Sequence, residues 1–294
     1  MKNKKIGFIG LGLMGAAMVE RLIAVGYEVN VLGNKSRTRI DAAIAQGATE
    51  ATSAKALAQN SDIIMLCMDT SASVESRMYG NDGVIEGLST EKAVIDFGTS
   101  LPSSTTAIGA EVSKLGAYYL DAPLGRTPSH AKDGKLNIMA SGDETGFNIA
   151  KPVLESLAEN LFYLGTLATG HTIKLINNFF AMTTASAMSE AFVMADKAGV
   201  DRQTLYDVMS AGPLHSGMMD FVKRFAIENN PNDLAFSIKN AAKDVGYYQQ
   251  MANDLGVDSL MSTAAQNTLQ QALTQGFADN MVPELVSFFE KKLS

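Results

Sequence analysis

Gly10-Leu11-Gly12-Leu13-Met14-Gly15 carries the G-x-G-x-x-G spacing between an apolar run, Lys5 to Ile9, and a helical one, Met14 to Val25. The chemistry that needs this spacing is pyrophosphate binding. The first glycine makes the tight turn, the second lets backbone approach the phosphates, and the third lets the helix sit close to the strand. A tight strand-to-helix turn without a ligand satisfies the same pattern. At the end of the next strand, where a carboxylate would take the ribose hydroxyls of NAD, the chain offers Gly33-Asn34-Lys35-Ser36-Arg37. Two cations and a hydroxyl suit the 2′-phosphate of NADP, and a solvated basic turn is the alternative.

Three later segments could act on a substrate. Lys174 and Asn178 stand four residues apart in Gly170-His171-Thr172-Ile173-Lys174-Leu175-Ile176-Asn177-Asn178, so a helix puts both on one face. A cation and a carboxamide so placed could protonate a carbonyl oxygen and orient its substituents, although on the pattern alone a solvated lysine beside a capping asparagine is the better fit. Asp121-Ala122-Pro123-Leu124-Gly125-Arg126-Thr127-Pro128 ends a strand in a turn, where Arg126 offers a planar fork for a carboxylate, sulfonate or phosphate, or a surface ion pair. Asp96-Phe97-Gly98-Thr99-Ser100-Leu101-Pro102 also ends a strand, so Thr99 could touch the nicotinamide end of a cofactor or, as could Ser100, cap the following helix.

Other chemistries lack their residues. The histidines, His130, His171 and His215, are too scattered for metal-ligand spacing, and His130 and His171 are read as polar surface residues. No G-x-S-x-G occurs, and the single cysteine, Cys67, lies in the apolar run Ile63 to Met68, where a buried strand residue is expected. One cysteine also forbids an intrachain disulfide, which fits the cytosol.

The elements that must position these groups follow from periodicity. Strands are predicted at Lys5–Ile9, Tyr27–Leu32, Ile63–Met68, Ala93–Phe97, Tyr118–Asp121, Leu136–Ala140 and Leu161–Leu164, with helical stretches such as Ala42–Gln46, Ala54–Gln59 and Thr105–Leu115 between them. This alternation implies a largely parallel, doubly wound α/β sheet. Beyond Gly165 apolar residues recur at helical spacing. Lys174 to Ala198 forms one long segment between Gly170 and Gly199, read as caps, and its Ala and Met content suits a helix packed all round. The expected domains are residues 1–164, a Rossmann dinucleotide-binding domain, and residues 165–294, an all-α domain for substrate and dimerisation joined by the long helix. Two domains are the default at 294 residues and usually leave a cleft between them.

A net charge of −7 disfavours nucleic acid and anionic membrane as partners and points to small-molecule chemistry. Residues 1–26 imitate a secretory signal, but glycines 7, 10, 12 and 15 and Glu20-Arg21 make strand, turn and helix the better reading. No segment approaches a membrane span.

In combination, Phe8 to Gly15, Asp96 to Pro102, Asp121-Ala122-Pro123, Lys174-x-x-Asn177-Asn178, and Phe236 with Lys243-Asp244 resemble the β-hydroxyacid dehydrogenase family through nearly the whole chain. The resemblance implies that Lys174 is the general acid/base, that Asn177 and Asn178 hold substrate, and that Leu13, Met14, Met68, Thr99, Phe236 and Lys243 contact cofactor beside Gly10, Gly12 and Gly15. It implies a homodimer or homotetramer. Asn34-Lys35-Ser36 resembles the Asn-Arg-Thr of NADP-using relatives, with lysine replacing arginine. Gly125-Arg126-Thr127 departs from the usual Ser-Gly-Gly and is similar to sulfolactaldehyde reductases, so Arg126 and Thr127 are expected to grip a small anionic substrate. Gly98 stands where many relatives have serine, which would enlarge the nicotinamide end of the pocket. Asn177 and Lys174 argue against 6-phosphogluconate dehydrogenases and imine reductases.

The expected function is thus NADPH-dependent reduction of a small anionic aldehyde, Lys174 protonating the developing alkoxide, with burial lowering its pKa. The alternatives are an NAD-dependent 3-hydroxyisobutyrate or β-hydroxyacid dehydrogenase and, in a different class, a non-catalytic NADP-binding protein.

Overall fold

Residues 4–33 and 37–294 are described by the computed structural model. Two compact units divide the chain, residues 1–174 and residues 175–294. In the first unit the strands are β1 (Lys5–Ile9), β2 (Glu28–Leu32), β3 (Thr49–Ala51), β4 (Ile63–Leu66), β5 (Ala93–Asp96), β6 (Tyr118–Asp121), β7 (Leu124–Gly125), β8 (Leu136–Gly142) and β9 (Ala158–Tyr163). The helices between them are α1 (Leu13–Ala24), α2 (Thr38–Ala45), α3 (Ala54–Gln59), α4 (Ser71–Tyr79), α5 (Pro102–Lys114), α6 (Pro128–Lys132) and α7 (Glu144–Leu157). Helix α8 (Thr169–Lys197) begins in this unit and continues into the second, which carries α9 (Arg202–Ser210), α10 (Gly217–Glu228), α11 (Ile238–Asp254), α12 (Leu260–Thr274) and α13 (Leu285–Leu293).

The sheet runs β3-β2-β1-β4-β5-β6-β8-β7, with β9 paired to β8. Pairings from β3 through β6 are parallel, whereas β6–β8 and β7–β8 are antiparallel and β8–β9 is parallel again. The order reverses at β1, between β2 and β4, which is where doubly wound sheets open a crevice at their carboxyl edge.

Alternation within the strands explains how both faces become core. Ile6, Phe8, Ile63 and Met65 pack into one apolar cluster while Ile9, Ile64 and Leu66 pack into another, because successive side chains leave the sheet on opposite faces. Strands covered on both sides read as continuous apolar runs, which is why β4 is buried at every position.

In the second unit, α8 buries Met182, Ala185, Met188 and Phe192 against Phe288, Leu269 and Val245. Its other faces differ from the expectation of packing all round: Phe180 is 71% and Met194 52% exposed. No strand is found among the described residues beyond β9, only an isolated bridge between Ser237 and Met281. No helix among them is long and apolar enough to cross a membrane.

The start of α8 is fixed by a buried carboxylate. Asp121, at the end of β6 and fully buried, accepts from the Ala168 amide at 2.8 Å and the Ser141 hydroxyl at 2.5 Å through Oδ1, and from the His171 amide at 2.7 Å through Oδ2. The Ser141 oxygen in turn accepts from the Gly170 amide at 2.9 Å. Helix amides that would otherwise lack partners are thereby satisfied, and the negative charge sits at the positive end of the helix. Gly170 is therefore not a cap, contrary to expectation. It lies inside α8, and a Cβ there would come within 2.3 Å of the Met139 carbonyl and 2.8 Å of Asp121 Oδ2, so glycine permits the close approach.

Asp121→Ala strands these donors in a dry environment and should cost about 2–4 kcal/mol of stability. The shift in urea midpoint checks this; a loss below about 0.5 kcal/mol, the range of ordinary surface substitutions, would refute the anchoring role.

Candidate active site

At the reversal of strand order, a cleft of about 370 Å³ is lined by Gly10, Leu11 and Gly12 after β1, by Cys67, Met68 and Asp69 after β4, and by Leu32, Ile40 and Arg77. The three glycines of the loop differ in what they do. Gly10 has φ +99°, open to glycine at no steric cost, and a Cβ there would meet the Cys67 carbonyl at 2.3 Å. Gly15 faces the Gly10 carbonyl, which a Cβ would approach to 2.0 Å, so the helix can seat itself only if this residue is glycine. Beside Gly12 there is nothing within 4 Å, so the backbone borders open space.

Helix α1 begins immediately after Gly12 with no side-chain cap and no acidic residue in its first turn. Its leading amides and positive dipole end are thus available to an anion, and these residues fit a dinucleotide pyrophosphate. Leu13, 65% exposed, and Met14, half-buried, are the first two residues of that helix.

At the far end of β2 the structure corrects the local reading of the chain. Asn34, Lys35 and Ser36 lie outside the described residues. The turn is not without a carboxylate, because Glu50 on the neighbouring strand β3 reaches it: a Cβ on Gly33 would stand 2.4 Å from Glu50 Oε1. Arg37 donates to Glu50 Oε1 at 2.6 Å and Oε2 at 3.0 Å, and to Asp41 at 2.8 Å.

The loop after β5 is ordered by Asp96, fully buried, which accepts from the Gly98 amide at 2.8 Å and the Ser100 hydroxyl at 2.7 Å. Leu101, not Thr99 or Ser100, is the N-cap of α5, and its own amide donates to Ser71 Oγ at 2.8 Å. Thr99 is half-buried within this loop. A Cβ on Gly98 would stand 3.0 Å from Asp96 Oδ1 and 3.1 Å from the Met68 carbonyl, so this glycine allows the β4 and β5 ends to pack closely. His171 is likewise not a surface residue. It is fully buried, with Nδ1 2.8 Å from Thr105 Oγ1 and Nε2 3.8 Å from Asp96 Oδ2.

Cys67 lies just past β4, beside the cleft. Desolvation and the nearby Asp96 charge push its thiol up to about 12, against a smaller opposing hydrogen bond from the Gly15 backbone. It remains protonated at neutral pH and is no nucleophile.

Arg126 occupies a left-handed backbone conformation, φ +78°, that costs a non-glycine residue on the order of 1–2 kcal/mol. Its Nη1 donates to the Lys135 carbonyl at 2.8 Å and pairs with Glu159. Nε and Nη2 remain outside these two contacts. Thr127 precedes α6, its Oγ1 2.7 Å from His130 Nδ1 and 2.8 Å from Ser129 Oγ.

Lys174 is half-buried and Asn177 exposed in α8, while Asn178 is buried. Asn178 is mid-helix, not a cap. Its Nδ2 donates to Asp244 Oδ2 at 2.6 Å, and its Oδ1 accepts from Asn177 at 3.3 Å. Lys243 Nζ lies 2.8 Å from Asp244 Oδ1 and 4.9 Å from the Tyr247 ring centre, and Phe236 packs on the core of the second unit.

Sequence patterns did not single out Asp69 or Arg77, which border the cleft, nor the anchoring roles of Asp121 and Asp244. For Asp69 a signal existed, since Asp69-Thr70-Ser71 is a helix-start signature directly after a strand on the glycine-loop edge.

Comparison with known proteins agrees with this architecture. Residues 5–165 match the family profile described as the NAD binding domain of 6-phosphogluconate dehydrogenase, and residues 168–289 match the one described as NAD-binding of NADP-dependent 3-hydroxyisobutyrate dehydrogenase. Among curated relatives, the chain is 30% identical to 3-sulfolactaldehyde reductase of Escherichia coli, covering 92% of this chain and 91% of that protein. It is 27% identical to the chloroplastic glyoxylate/succinic semialdehyde reductase 2 of Arabidopsis thaliana, covering 93% and 76%. Among solved structures, 3-hydroxyisobutyrate dehydrogenase of Mycobacterium tuberculosis with L-serine superposes with a TM-score of 0.85 at 24% identity over 97% of this chain and 98% of that one. The chain therefore belongs to the β-hydroxyacid dehydrogenase family of NAD(P)-dependent enzymes.

Proposed function

We propose that this enzyme is an NADPH-dependent reductase of a small anionic aldehyde, of the semialdehyde or sulfolactaldehyde type, yielding the hydroxy acid. The observation that carries the substrate half is Arg126: a long cation held at φ +78°, where a glycine would be unstrained, is retained against a conformational cost. Strain of this kind collects at functional positions. Relatives whose names specify 3-sulfolactaldehyde and succinic semialdehyde support the same reading.

Gly10, Gly12, Leu13, Met14 and Gly15 would hold the dinucleotide, with Met68, Thr99, Phe236 and Lys243 as further contacts, and Asn34, Lys35 and Ser36 would favour NADP. When bound, the nicotinamide supplies the hydride. Lys174 as an ammonium would protonate the alkoxide oxygen and, in the reverse direction, accept that proton as the neutral amine. Asn178, its amide nitrogen committed to Asp244, keeps an acceptor oxygen in a defined orientation; with Asn177 it would position the substrate's polar groups. Arg126 and Thr127 would bind the anionic end, the Nε and Nη2 donors serving as the fork.

In this reading residues 1–164 form the nucleotide domain and residues 165–294 the helical domain for substrate and self-association. Ile173, Ile176 and Phe180, exposed along α8, support self-association as a homodimer or homotetramer, and a cytoplasmic location belongs to the same proposal. The Glu50 carboxylate, reaching the end of β2 from β3, favours the second reading, an NAD-dependent dehydrogenase of 3-hydroxyisobutyrate or a similar β-hydroxy acid.

Loss of reduced-nicotinamide absorbance with a panel of small semialdehydes tests the activity. Lys174→Ala should lower kcat by about 10²–10⁴-fold with nucleotide affinity nearly intact, and near-normal turnover would sink the assignment. Arg126→Gly relieves the backbone strain, so its thermal midpoint should equal or exceed the parent's while KM for anionic aldehydes rises roughly tenfold or more. Equal loss for neutral and anionic aldehydes would rule out the clamp.

A further inference from the structure

Strands β2 and β3 are in register with Val31 opposite Glu50 and Leu32 opposite Ala51, so the Glu50 carboxylate emerges where β2 ends. Leu32 and Ile40, flanking this point on β2 and α2, both line the cleft. Gly33 leaves the space that the carboxylate fills. On the other side Arg37 meets Glu50 through two nitrogens and Asp41 through one of them. A guanidinium has five N–H donors; these three bonds leave two. Arg37 also holds the Glu50 carboxyl below its ordinary range, so the group is ionised at neutral pH.

In doubly wound dinucleotide sites the end of the second strand decides between the two cofactors. A carboxylate there accepts from the ribose 2′-hydroxyl, and an arginine accommodates the 2′-phosphate. This chain brings both groups to one place and pairs them with each other.

We propose that Glu50 is a specificity-determining residue for the nucleotide: it competes with a 2′-phosphate for Arg37 and offers its own oxygens to a 2′-hydroxyl, which restrains preference for the phosphorylated cofactor. This rests on dinucleotide binding at the glycine loop, whichever cofactor the parent enzyme prefers. Removing the Glu50 charge frees guanidinium donors and removes repulsion from the phosphate dianion. Asp41 engages the same guanidinium through a single bond and acts in the same direction more weakly.

Fluorescence titration of the full chain with NADPH and NADH gives both dissociation constants for the parent, Glu50→Gln and Asp41→Asn. Glu28→Gln, at the opposite end of β2 and paired with Lys5, serves as the control for bulk charge. Glu50→Gln should raise the ratio of the NADH to the NADPH constant by about tenfold, Asp41→Asn by less, and Glu28→Gln not at all. Should Glu50→Gln fail to fold, the Asp41→Asn shift decides. The proposal is overturned if both constants move by one factor, as for a pair that only braces the turn, or if Glu28→Gln shifts the ratio equally. The parent ratio separately reports NADP preference, so that reading can fail while the Glu50 shift stands.

Discussion

A single buried carboxylate fixes the start of the helix on which the proposed catalytic lysine lies. Asp121 ends β6, and its oxygens are consumed by the leading amides of α8 and by Ser141 of β8. Helix α8 in turn carries Lys174 less than one turn beyond His171 and Asn178 about one turn further on. The direction in which the helix leaves the sheet is therefore set by charge-assisted hydrogen bonds rather than by apolar packing alone, and such bonds are shorter and more directional than neutral ones.

The same economy recurs elsewhere. Asp96 uses both oxygens on its own loop, holding the Gly98 amide and the Ser100 hydroxyl, while Asp244 fixes the amide of Asn178. Each carboxylate is nearly or fully buried, and each has bonded partners. Buried ionised groups left unpaired would be costly, so these three serve as rigid brackets for the neighbouring polar side chains. His171, with its imidazole between Thr105, Asp96 and Asp121, stands between two of them.

What was legible in the chain was what is local. The strand-turn-helix around Gly10 to Gly15, the apolar runs of β4 and β5, and the long helix from the 170s all carry their signal within a dozen or so residues. The antiparallel direction of β8 did not, because alternation of side chains specifies a strand and not its partner's direction. Strand β3 is three partly exposed residues, too short for any period. Asp121 and Asp244 act on groups 50 and 66 residues away, and Glu50 reaches an end of β2 only because β3 lies alongside it. Spacing could place Lys174 beside Asn178, yet it could not tell a capping amide from a buried one, and the partner that settles this is on another helix.

In the proposed reaction a hydride from the nicotinamide reaches the carbonyl carbon of an anionic aldehyde. Incubating the enzyme with NADPH deuterated at the transferable C4 position and the semialdehyde panel, then locating deuterium by mass spectrometry and NMR, follows that hydride. One deuterium on the new carbinol carbon of an anionic substrate, none from solvent deuterium and much less label on neutral analogues, is the predicted result. Tight NADPH binding with no label in any product would contradict it.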